Sequence, residues 1–189
     1  MLFVRPATRA DAGEIARIDV ETWRMAYPGI LPDKVLLGLT PARLAVEWAA
    51  QLGHRPEDVR VAEWSGAGVV GFGSCGAARM PIGELTGEVN TLYVAPDFQG
   101  RGVGRALLLA LFRRLVATGH GSAVIWVLRS NPARFFYERM GGKAAAHRRI
   151  SVRGEPIPAL AYGWHDLPET VRSGGRALRP LADDGSGPI

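Results

Sequence analysis

The sequence predicts a mixed α/β fold, and three observations predict it. Strand-like and helix-like apolar patterns alternate along most of the 189 residues. A glycine-rich segment within "APDFQGRGVGRALLLALFRRL", residues Ala95 to Leu115, runs directly into an apolar stripe with helical spacing. A short continuous apolar run, "SAVIWVL", has the length and composition of a central strand buried on both faces.

Each element can be justified in turn. "LFVRPA" (Leu2 to Ala7) reads as a first strand, and "TRADAGEIARIDVETWRMA" as a helix entered through Thr8 or Asp11, with Asp11 or Glu14 completing a capping box. Pro28, Gly29 and Pro32 interrupt the helical pattern before "PARLAVEWAAQL" resumes it. "DVRVAEW" and "GVVGFGSCGAAR" are strand-like runs joined by "SGAG", a hairpin signal, and "EVNTLYV" (Glu88 to Val94) is the next strand. After the glycines, Leu107, Leu108, Leu111, Phe112 and Leu115 form a helical stripe that Gly119 ends. "NPARFFYERMGG" places Asn at a cap, Pro in the first turn and Gly past the end, the order expected of a short helix. Two further strands are expected around Ala145 to Val152 and Pro158 to Trp164. The domain is read as residues 1–166, and the Gly-, Pro- and Arg-rich segment 167–189 as a poorly ordered tail.

Composition narrows the setting. The formal charge is +5, yet the cations are almost all arginine, only Lys34 and Lys143 being lysines, so the charge is weak evidence for an anionic partner. The single cysteine, Cys75, precludes an internal disulfide and fits a reducing compartment. No run approaches the roughly 18 apolar residues of a membrane span, and the N-terminus reaches charged residues too early for a secretory signal, so a cytoplasmic protein is expected. His54, His120, His147 and His165 lack metal-ligand spacing, and no metal site is expected.

Glycines ahead of a helix let the backbone approach a bulky anion, and the free amides and dipole at the helix start favour negative charge. The segment therefore reads as a pyrophosphate cradle. The dinucleotide pattern G-x-G-x-x-G fails in both registers, because Arg105 and Leu107 stand where its third glycine belongs, and no G-x-x-x-x-G-K-[ST] is present. What does match is Gln99-Gly100-Arg101-Gly102-Val103-Gly104, the pattern Q/R-x-x-G-x-G/A. Preceded by "LYVAPDF" and followed by "NPARFFYERMGG", it closely resembles the GNAT superfamily of acetyl-coenzyme A dependent N-acetyltransferases, over the order of elements from residue 2 to about 165.

The resemblance implies an α+β type of fold: a mixed, twisted, mainly antiparallel sheet of six to seven strands with about four flanking helices, splayed open between the fourth and fifth strands. It also implies acetyl-CoA as co-substrate. The backbone of Leu92, Tyr93 and Val94 would pair with the pantetheine arm, the segment Gln99, Gly100, Arg101, Gly102, Val103, Gly104 and Arg105 would take the phosphates, and Asn131 would contact the arm. Transfer to an amine needs a base, an oxyanion donor and an acid. By resemblance Tyr137 is the acid and Glu88 the base, with Glu84 its competitor, while a backbone amide near Leu92 or Tyr93 serves the oxyanion. Strand periodicity puts Glu88, Asn90 and Leu92 on one face. Trp23 and Tyr27, with the turn "YPGILP", fall where the family builds its acceptor wall.

Residue by residue, plainer roles compete. Tyr137 can be a core ring beside Phe135 and Phe136, Asn131 a helix cap, and Trp23 and Tyr27 buried aromatics of a helix hairpin. Cys75, in a small-residue strand, reads as a buried inert thiol. The leading expectation is acetyl transfer to a primary amine by direct attack in a ternary complex, the acceptor being a small metabolite, an antibiotic or a protein N-terminus. A non-catalytic acyl-CoA sensor is the alternative. A nucleic-acid-binding domain rests only on Arg148, Arg149, Arg153 and the tail arginines, and neither nucleic acid nor membrane is an expected partner. A homodimer is common in the family.

Overall fold

The computed structural model describes residues 1–152 and 154–174. Its centre is a seven-stranded sheet in the order β1-β2-β3-β4-β5-β7-β6. The strands are β1 (Leu2–Pro6), β2 (Val59–Trp64), β3 (Gly68–Ile82), β4 (Leu85–Val94), β5 (Ala123–Leu128), β6 (Lys143–Val152) and β7 (Glu155–Trp164). All neighbours are antiparallel except β4 and β5, which run parallel. The fold class expected from the sequence is the one observed.

Among the described residues, six α-helices flank the sheet: α1 (Ala12–Ala26), α2 (Asp33–Leu37), α3 (Pro41–His54), α4 (Val103–Ala117), α5 (Arg134–Arg139) and α6 (Leu167–Arg172). At the entry to α1 the capping box is closed by Thr8 and Asp11, and Asp11 is also gripped by the Arg5 fork at 2.8 Å. The interrupted stretch after α1 contains α2, whose Leu36 packs with Tyr27 and Leu31.

One face of the sheet carries α4, where Leu108, Leu111, Phe112 and Leu115 pack on Val89, Ala123, Ile125 and Val127. The other face carries α1 and α3, where Ile15, Ile18, Leu44 and Trp48 meet Phe72. Small residues let the helices sit close: a Cβ on Gly73 would fall 2.7 Å from Leu111, and one on Gly87 3.1 Å from Leu115.

Two expectations are corrected. Residues Leu167–Arg172, expected to open a poorly ordered tail, form α6. Asp166 Oδ1 accepts from the Glu169 amide at 2.8 Å, Pro168 sits in the first turn, and Leu167 is fully buried in the α4 cluster. The apolar anchor outweighs the Gly- and Arg-rich composition that follows. Residues 175–189 of the expected tail lie outside the described residues. The second correction concerns period two in β4. Val89 pairs with Cys75 and Thr91 with Ser74, so Asn90 is an extra residue, a β-bulge. The bulge shifts the alternation: Val89 and Leu92 both pack toward α4, whereas Glu88 lies on the opposite face with Tyr93, which packs on Phe72. Glu88 and Leu92 do not share a face.

Candidate active site

The site begins where the sheet comes apart. β4 and β5 are paired only at Gly87–Ala123, Glu88–Val124 and Val89–Ile125. Beyond the Asn90 bulge the strands diverge, and the backbone of β4 from Thr91 to Val94 keeps its β3 partner but, among the described residues, has no strand on its other side. Val94 is partly served by Gln99, whose side-chain amide donates to the Val94 carbonyl at 3.0 Å.

At the C-terminal end of β4 the chain turns into α4 through Gly100 (φ 72°) and Gly102 (φ 82°), conformations that side chains rarely adopt. Gly102 caps the helix without a side chain. Among the described residues, no acceptor takes the amides of Gly100 through Arg105, and the first bond of the turn is Ala106 N to Gly102 O at 3.0 Å. A row of unpaired amides at a helix start is suited to an anion. A Cβ on Gly100 or Gly102 would meet no protein atom within 4 Å, so the chain is open on that side of both glycines. The cradle and the free edge of β4 fit an extended ligand with a phosphate end. The two arginines of the segment are engaged elsewhere: Arg101 stacks over Phe98 and Trp64, at 5.5 and 5.9 Å, and Arg105 Nε donates to the Gly174 carbonyl at 2.9 Å.

Around the opening stand residues from both sheet faces. Tyr27, at the end of α1, is coupled to the neighbouring Tyr93 hydroxyl and accepts from Asn131 Nδ2 at 3.4 Å. Asn131 Oδ1 in turn accepts from the Ala133 amide at 2.9 Å, so Asn131 both shapes the turn into α5 and reaches the opening. Tyr137, from α5, is buried against Phe136, Trp164 and Tyr162 and senses Tyr27 electrostatically. Burial pushes the Tyr137 and Tyr93 hydroxyls above the ordinary tyrosine range, so both are protonated at neutral pH. Trp23 stacks edge-on against Tyr27 at 5.1 Å.

Glu88 is a separate matter. It is 1% exposed, and Arg79 holds both its oxygens: the Arg79 amide donates to Oε2 at 2.9 Å, while Nε, at 3.1 Å, and Nη2 grip Oε1. No contact between Glu88 and Tyr137 occurs among the described residues. Glu84, the competing carboxylate, is exposed at the β3–β4 turn, and its carbonyl accepts from Ser122. Cys75 is 4% exposed and donates to the Leu111 carbonyl at 3.7 Å; burial pushes its thiol up to about 12, as suits an inert core cysteine.

The sequence reading missed two things. Tyr93 was expected to act through its backbone alone, but its side chain joins Tyr27 at the opening. Arg148 was counted with Arg149 and Arg153 as support for nucleic-acid binding, yet alternation along β6 turns it inward, with its guanidinium 3.9 Å from the Trp126 ring centre.

A family model described as the acetyltransferase (GNAT) family matches residues 20–142. An uncharacterized N-acetyltransferase of Bacillus subtilis, YuaI, is 30% identical over 167 residues, spanning 88% of this chain and 95% of its own. The structure is also similar to PaiA N-acetyltransferase from Thermoplasma acidophilum in complex with coenzyme A, with a TM-score of 0.66, 18% identity, and coverage of 87% of this chain and 99% of that one. A second likeness is yncA from Salmonella typhimurium with its cofactor acetyl-CoA, with a TM-score of 0.65, 23% identity, and coverage of 88% and 94%.

Proposed function

Because the chain belongs to the GNAT family of acetyltransferases, we propose that it transfers acetyl from acetyl-CoA to a primary amine by direct attack in a ternary complex. The observation that carries this reading is the pairing of a free β4 edge with the unpaired amides of Gly100 to Arg105 at one end of it. Two neighbours of the same fold are described as holding coenzyme A or acetyl-CoA. In this reading Leu92, Tyr93 and Val94 align the arm, Asn131 lies beside it, and Gly100, Gly102 and Gly104 admit the phosphates. The domain extends through α6.

Bound acetyl-CoA supplies an activated acetyl group: the amine nitrogen bonds to the carbonyl carbon as the carbon–sulfur bond breaks, giving an amide, coenzyme A thiol and one released proton. Tyr137 Oη holds the proton that the departing sulfur needs, and its raised proton affinity makes it an acid and not a base at neutral pH. Tyr27 and Tyr93 fix the opposite side of the opening and, with Trp23, form the acceptor wall. Glu88 accepts the ammonium proton through water, at the acceptor position on Oε2 that Arg79 leaves over, since a carboxylate offers about four such positions and Arg79 fills three. The cytoplasmic setting agrees with the single, unbridged Cys75.

The test combines calorimetry with acetyl-CoA and thiol release across a library of amines. Binding with thiol release supports the proposal. Binding without release to any amine supports the non-catalytic sensor, and absence of binding refutes both.

A further inference from the structure

We propose that the amine acceptor carries a carboxylate, and that Arg148 on β6 together with Trp126 on β5 binds it; this rests on the acetyl-transfer reading above. Arg148 lies opposite Ala159 of β7, and Ala161 stands between β6 and Trp126. These small residues let the arginine stem cross β7 and lay its guanidinium on the indole at 3.9 Å. Arg148 Nε and Nη2 and Trp126 Nε1 are all buried and have no hydrogen-bond partner among the described residues. Buried cationic donors are ordinarily paired, because leaving them unpaired forfeits their solvation.

The identity of the two arginine atoms specifies the partner. Nε and Nη2 form the edge whose parallel N–H groups match a carboxylate. The chain turns that edge on a carboxylate three times, in Arg79 on Glu88, Arg5 on Glu63 and Arg17 on Glu14, and once on a backbone carbonyl, in Arg149 on Pro156. At Arg148 the same edge faces no acidic side chain among the described residues. The pair lies on the sheet face opposite α4, alongside Val124 and hence Glu88, so phosphates seated at the start of α4 are on the wrong side to be its ligand.

Polarity also orients the acceptor. Asn90 Oδ1 is a buried oxygen with no partner among the described residues, and the Asn90 amide lies near Gly76, next to Glu88 on the ladder. Oxygen acceptors at β4 and nitrogen donors at β5 and β6 place an ammonium at the divergence of the strands and an anionic group away from it. The substrate class is an amino acid or a similar small zwitterion, with its carboxylate close to the amine.

The experiment measures thiol release with the full chain and acetyl-CoA, using the standard L-amino acids, their carboxamides, their decarboxylated amines, β-alanine and O-phosphoethanolamine. At least one acid is expected to exceed its carboxamide and amine by about 10- to 100-fold in kcat/KM, the span of one charge-assisted bidentate contact. Arg148→Gln should erase that preference chiefly through KM while leaving the rate with the decarboxylated amines and the melting temperature near the parent; Arg148→Lys, which keeps charge but loses the fork, should fall between. Equal or faster turnover of carboxamides, a preference for O-phosphoethanolamine over β-alanine, or an undiminished preference in Arg148→Gln overturns the proposal. So does failure of every acid probe in a protein that calorimetry shows to bind acetyl-CoA. Failure to bind acetyl-CoA refutes the underlying reading instead.

Discussion

Replacing Gly102 by alanine separates the cost of a strained backbone from the cost of a blocked cradle. Gly102 sits at φ 82°, where an L side chain costs about 1–2 kcal/mol, so the free protein should lose only a few degrees of melting temperature, at about 2–4 °C per kcal/mol for a chain of this size. The added methyl meets no protein atom and is carried by a residue in the middle of the unpaired amides from Gly100 to Arg105. If it displaces one or two amide–phosphate bonds, each worth about 1.5–3 kcal/mol when the acceptor is charged, acetyl-CoA affinity should fall by about 10- to 1,000-fold or more, at tenfold per 1.4 kcal/mol. Gly104→Ala controls for the backbone-strain part alone, since Gly104 itself belongs to the cradle. Gly104 lies inside α4, and its Cβ would make ordinary contact with Phe136 at 3.5 Å, so this variant should keep or gain stability. Calorimetric titration with acetyl-CoA, run beside thermal unfolding of the free variants, reads both quantities. Parental affinity in a folded Gly102→Ala protein would refute the cradle.

The remaining expectations concern chemistry, packing and pH. Tyr137→Phe should keep the ring contacts with Phe136 and Trp164, lower kcat by about 10²- to 10⁴-fold, and leave acetyl-CoA affinity unchanged; full activity when chemistry limits the rate removes Tyr137 from proton transfer. Leu167→Ala should destabilise the fold by about 2–5 kcal/mol, because the side chain is fully buried beneath α4, and an unaltered denaturation midpoint would show α6 to be dispensable. Asp11 titrates at about 2, held down chiefly by the Arg5 hydrogen bonds. Its folded value lies below the unfolded one, so its stabilisation is complete above the ordinary carboxylate range and vanishes as pH falls through about 2. With Arg5 35% exposed, the contribution is about 1–2 kcal/mol. Asp11→Asn should therefore unfold more easily at pH 7 and show a flatter stability profile between pH 5 and 2, and an unchanged profile would contradict the role of the Arg5 pair.

What was legible in the sequence was what requires particular residue types. Gly100 and Gly102 announce themselves because a left-handed turn before a helix needs glycine, and the apolar run of β5 because burial on both faces leaves no polar position. The Asn90 bulge carries no such marker: one surplus residue reverses the alternation without altering composition, and Leu92 was consequently assigned to the face of Glu88. α6 was hidden by averaging, since Asp166, Pro168 and the buried Leu167 are start and anchor signals diluted by the residues after them. Pairings such as Tyr27 with Asn131 and Trp126 with Arg148 join positions far apart in the chain, and no local pattern encodes them.

The three-residue joint between β4 and β5 has a mechanical meaning. Antiparallel ladders link β1 through β4 and again β5 through β7 to β6, so the sheet is two plates sharing one short seam. α4 spans that seam as a brace: Leu107 packs among Ala62 and Val70 on the first plate, and Leu108 and Phe112 pack with Ile125 and Val127 on the second. Widening the gap must shear those contacts, whereas an extended chain laid along β4 adds backbone bonds where the first plate has none on that side. Amides near the seam should therefore exchange with solvent sooner than those in the middle of either plate, and their slowing when the gap is filled would measure how firmly the two plates have been riveted into one.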